Sequence, residues 1–132
     1  MNRLYVTVAV LLAMACAPAV PVAAEDLLAG IPAPANSTKL GSGSAQSGGE
    51  QVSYSTSDTP AAVIAAYDKA LGEAGWTVAA SGGGGGGYGG GAGLQATSGD
   101  KYLTVNAGGP AGRTFVHVCV WPTKPKDDNC GD

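Results

Sequence analysis

One stretch of this chain has a helix's period: Ser57-Asp58-Thr59-Pro60-Ala61-Ala62-Val63-Ile64-Ala65-Ala66-Tyr67-Asp68-Lys69-Ala70-Leu71-Gly72-Glu73-Ala74-Gly75-Trp76. Elsewhere short alternating runs are broken by glycine and proline, so the fold has one helix to place among strands. Val63, Ile64, Tyr67, Ala70, Leu71 and Ala74 share one side of that helix, and Asp68, Lys69 and Glu73 share the other. Asp58 or Thr59 is positioned to cap the first free amides, and Pro60 suits the first helical position because it has no N–H to satisfy. Gly75 is the expected stop, and Trp76 opens the next strand. A helix this short persists only through tertiary contact, so its apolar side predicts a sheet beneath it.

The motif Tyr67-x-x-x-Leu71-x-x-x-Gly75-Trp76 follows a polar strand and a Ser/Thr/Asp-Pro cap. In this it resembles a domain family of small, largely uncharacterised bacterial secreted proteins and lipoproteins, over roughly residues 50 to 120. The resemblance implies an envelope-located α+β domain. Its motif residues are the core and stop of a helix, so it brings no catalytic residues with it.

Alternation supplies the strands. Ser37–Leu40 is a candidate edge strand, joined by a Gly/Ser linker to Gln51–Thr56, where Val52, Tyr54 and Thr56 alternate with Ser53 and Ser55. Trp76–Ala80, Leu94–Ser98, Lys101–Ala107 and Thr114–Trp121 follow, with Ser98-Gly99-Asp100-Lys101 as a hairpin turn and Pro122 ending the last strand. The tract Ser81–Gly93, with Tyr88 at its middle, reads as a flexible glycine-rich loop. Its formal G-x-G-x-x-G carries no weight, because a glycine run satisfies any glycine spacing and no helix follows. The expected fold is α+β: a mainly antiparallel sheet of five or six short strands with one helix packed on one face. Val52, Tyr54, Val78, Leu94, Ala96, Leu103, Val105, Val116, Val118 and Val120 are expected on the helix side. Ser53, Gln95, Tyr102, Thr104, Asn106, Phe115, His117, Cys119 and Trp121 then face away.

Residues 1–24 read as an export signal, with Arg3, the apolar run Leu4–Ala15 and the small-residue site Val22-Ala23-Ala24. The apolar run is too short to span a membrane. Residues 25–50 read as a flexible tether with a candidate edge strand, its few apolar side chains at Leu27, Leu28 and Ile31 able to dock, and residues 51–132 as a single domain. Cys16 closes the apolar run and offers a second processing route, acylation as a lipoprotein anchored to the outer membrane. By either route Cys119 and Cys130 are the two cysteines left to pair, and an oxidising compartment favours a disulfide. A metal site lacks ligands, with one histidine and no C-x-x-C.

A net charge of −3 with dispersed lysines argues against nucleic-acid binding, which needs a basic stripe to neutralise phosphates. His117 is the one candidate general base near neutral pH, but no serine sits in a G-x-S-x-G elbow, so the bland reading is a strand histidine. Asp127-Asp128 lacks the oxygen spacing of a calcium loop, and the remaining carboxylates sit in a cap, a turn or the outer helix face. The sequence therefore points to a secreted or periplasmic, non-enzymatic binding module without a cofactor, its partner an envelope protein or a glycan. A small hydrolase using His117 is the alternative. The expected contact residues are Tyr88, Tyr102, Phe115 and Trp121, against the competing expectation that the tail bonded to Cys119 covers that face. Mass spectrometry of the exported product is expected to find a chain beginning at Glu25; a diacylated chain beginning at Cys16 would overturn that assignment and make the protein a lipoprotein.

Overall fold

The computed structural model describes residues 27–86, 89–128 and 130, so the expected export signal, Cys16 and Tyr88 lie outside the described residues. Its elements are β1 (Ser37–Ser44), β2 (Glu50–Thr56), α1 (Pro60–Glu73), β3 (Thr77–Gly86), β4 (Gly89–Ser98), β5 (Lys101–Gly108) and β6 (Thr114–Trp121). The strands form one antiparallel sheet in the order β1-β2-β6-β5-β4-β3, which makes the fold α+β as expected. Helix α1 carries the chain from β2 across to the far edge, and the β3–β6 meander then returns to pair β6 with β2.

Local chemistry fixes both helix ends. Thr59 Oγ1 accepts from the Ala62 N–H at 3.2 Å, and Pro60 takes the first turn. At the other end Gly75 sits at φ +91, where a side chain is strained, and the Trp76 N–H returns to the Leu71 carbonyl at 2.9 Å. With the Gly75 N–H on Gly72, this is a Schellman closure, so the Leu71-x-x-x-Gly75-Trp76 spacing has a backbone reason.

Val63, Ile64, Tyr67 and Leu71 form the buried stripe of α1, while Ala70 is half-buried and Ala74 exposed. The stripe packs over β3, β4 and β5. All ten residues expected on the helix side belong to this core or pack against it. Each large side chain so buried contributes about 1.5–3 kcal/mol.

The docking open to the tether is realised, and the expected flexible glycine loop is corrected. The segment from Leu27 onward is docked along the domain: Leu27 is buried with its N–H on a Glu50 carboxylate oxygen at 3.0 Å, and Pro32 accepts the Tyr67 hydroxyl at 2.8 Å. Its strand also runs on to Ser44, through what reads as linker, paired with β2 across a bulge at Lys39/Gly41. The described parts of the glycine tract, Ser81–Gly86 and Gly89–Gly93, likewise pair as strand, with Gly82 opposite Gly93 and Gly86 opposite Gly89, and Gly91 opposite Gly108 on the other side. Glycine keeps both ladder groups of the backbone, so the absence of side chains erased the alternation without removing the strand.

On the outer face Ala45, Tyr102, Cys119 and Trp121 make a second, smaller cluster. Cys119 and Cys130 are bonded, with Cα atoms 5.8 Å apart. Closing this short loop is worth about 3 kcal/mol in the chain-entropy model. Trp121 donates its Nε1–H to the Gln46 carbonyl at 2.7 Å and lies close against Gly49, where an added Cβ would come within 2.6 Å of the indole Cδ1 and Nε1. The same Cβ would stand 2.9 Å from the Val120 carbonyl oxygen, so Gly49→Ala is expected to cost about 1–3 kcal/mol and to lower the melting temperature by several degrees, whereas an unchanged melting temperature would show that both the indole and this backbone give way.

Candidate functional site

The sheet's outer face divides into a covered half and an open half. The register sets Ser53, His117, Asn106 and Gly93 side by side across β2, β6, β5 and β4. The next row on one side holds Ser55, Phe115, Gly108 and Gly91; the next on the other holds Gln51, Cys119, Thr104 and Gln95. Beyond that Trp121 pairs with Tyr102 and Tyr102 with Thr97.

The covered half lies under Pro122–Asp128. The Asp128 carboxylate accepts from Tyr102 Oη at 2.9 Å and from Gln95 Nε2 at 3.0 Å, and the Lys124 ammonium stands 5.6 Å from the centre of the Tyr102 ring. Burial, then the hydrogen bond to Asp128 and its charge, push the Tyr102 phenol up to about 12. Tyr102 and Trp121, two of the expected contact residues, are thus buried, and the tail covers this half as the competing expectation had it. Burial took them because Cys119 shares their face and its bond draws the chain back over them.

The open half is a groove of about 500 Å³. Gly82, Gly91, Gly93 and Gly108 contribute its floor, and Phe115, His117 and Asn106 stand along it. Phe115 is half-buried, with the Arg113 guanidinium 5.1 Å from its ring centre. His117 is exposed, and its Nδ1 shares a hydrogen bond of 3.0 Å with Ser53 Oγ. Alternation put His117 and Ser53 on one face, but their contact needed the strand register, which no local pattern carries.

A second cleft, about 220 Å³ between Pro32–Ala35 and the helix residues Ala66, Tyr67 and Ala70, is apolar, and the hydroxyl there is already bonded to Pro32. No cluster of metal-ligating side chains occurs among the described residues. Nor is any helix among them long and apolar enough to cross a membrane. Comparison with protein-family models, curated proteins and solved structures finds no match.

Proposed function

We propose that this chain is an exported, non-enzymatic binding module whose contact site is the glycine-floored groove beside Phe115 and His117. One observation carries the reading. Gly82 and Gly91 sit inside strands at ordinary φ, and an added Cβ at either would meet nothing within 4 Å. Glycine in a strand interior is destabilising by roughly 0.5–1 kcal/mol relative to alanine. No turn or close contact within the domain calls for it at these positions, and what it provides is backbone open to close approach. Beside that floor the Phe115 ring supplies contact area, and the Asn106 amide and His117 imidazole supply orientation. Such a lining suits a glycan or an envelope protein. The Cys119–Cys130 bond supports an oxidising compartment, periplasmic or extracellular.

The Ser53–His117 hydrogen bond is the observation that favours a hydrolase. Acyl transfer also needs N–H donors aimed at the developing oxyanion. Ser53 and His117 lie on β2 and β6, strands paired on both sides, whose backbone N–H groups serve the ladders. Binding is the better reading on that ground.

Gly91→Val and Phe115→Ala separate the site from the fold. Each is expected to abolish retention on immobilised peptidoglycan or envelope extract, with Gly91→Val leaving the melting temperature unchanged or slightly higher. Retention by both variants equal to the parent's, or no retention by the parent, would overturn the reading.

A further inference from the structure

The Pro122–Asp128 strap is an unusual cover for buried aromatic rings. Pro122, Thr123, Lys124, Lys126 and Asp127 are exposed and Pro125 and Asp128 half-buried, so none of the strap's side chains is fully buried. Its hydrogen bond to Gln95 is exposed and the one to Tyr102 half-buried, and two such bonds offset only part of the backbone entropy of ordering the whole segment. The covalent bond at its end offsets that entropy. Beneath it, the sheet has independent support: Trp121 is held from the other side by Gln46 and Gly49, and the opposite face of β5 and β6 packs in the main core.

We propose that the strap is a dithiol-releasable cover: reducing Cys119–Cys130 frees Pro122–Asp128 to lift away and bares the Tyr102 ring as a continuation of the groove. Cys119 is fully buried and Cys130 is half-buried, so the attacking thiolate reaches the Cys130 sulfur. That attack forms a mixed disulfide with Cys130 and releases Cys119 as a thiolate, which takes up a proton. The second thiol of the dithiol then displaces Cys130. Overall one disulfide becomes two thiols while the dithiol becomes a disulfide, a two-electron exchange. The row uncovered, Thr104 and Gln95, adjoins the Asn106–Gly93 row of the groove floor, and Tyr102 lies one row further. The regulatory purpose rests on the groove reading above; the release itself does not, and is measured without ligand.

The test is a dithiothreitol titration of the full exported chain, read three ways: free thiols, tyrosine ionisation by ultraviolet absorbance against Tyr102→Phe, and amide exchange. On reduction the Tyr102 phenol is expected to move from about 12 to the ordinary value near 10, while the Val105, Val116 and Val118 amides keep their slow exchange. Tyr102 ionisation unchanged with both thiols free would overturn the proposal, because the strap then stays docked without its bond. Loss of slow exchange in step with reduction would overturn it equally, since the bond then holds the domain and not a cover. Neither result bears on the groove, whose Gly91→Val test is made on the oxidised protein.

Discussion

The domain depends on one stripe of α1. Val63, Ile64, Tyr67 and Leu71 are the bulk that β3, β4 and β5 bury against, and β4 and β5 answer with Leu94, Ala96, Leu103 and Val105. Leu27, Leu28 and Ile31 add to the same core from the N-terminal segment, tied to the helix through the Tyr67 hydroxyl on Pro32. A helix of this length is marginal alone, and a sheet with glycine in four of its six strands buries little alone. Each stabilises the other.

That arrangement uses up the inner face and leaves the outer one to be managed separately. Half of it is closed by a second cluster around Trp121, with Ala45 and Gly49 on one side and the disulfide-tethered strap on the other. On the other half β4 and β5 present Gly91, Gly93, Gly108 and Asn106, and the larger Phe115 and His117 of β6 stand beside them. Covered aromatics and open glycines thus have a common origin in a sheet with one helix and two faces. The groove lies where neither the helix nor the strap reaches.

Much of this was legible in the sequence because it is carried by local rules. The helix start, its Gly75 stop and the inward set from Val52 to Val120 follow from capping chemistry and alternation, and the structure agrees with them. Ser37–Ser44, Ser81–Gly86 and Gly89–Gly93 were not legible as strand throughout, because a strand is recognised through side chains and those segments have few. Gln46 and Gly49, which seat Trp121, sat in apparent linker, and nothing nearby in sequence links them to a residue so far along the chain. The Ser53–His117 contact and the groove floor both come from register across four strands, which only the assembled sheet defines.

The central claim is that the glycine tract is paired sheet and so forms a fixed floor. Residue-specific amide exchange tests it most directly, because β4 lies between β3 and β5 and its amides are held on one side or the other. The account predicts that the Gly91 and Gly93 amides exchange slowly, in the manner of Leu94 and Ala96 on the same strand. Exchange at Gly91 and Gly93 as fast as in an unstructured chain, with Leu94 and Ala96 still protected, would contradict it.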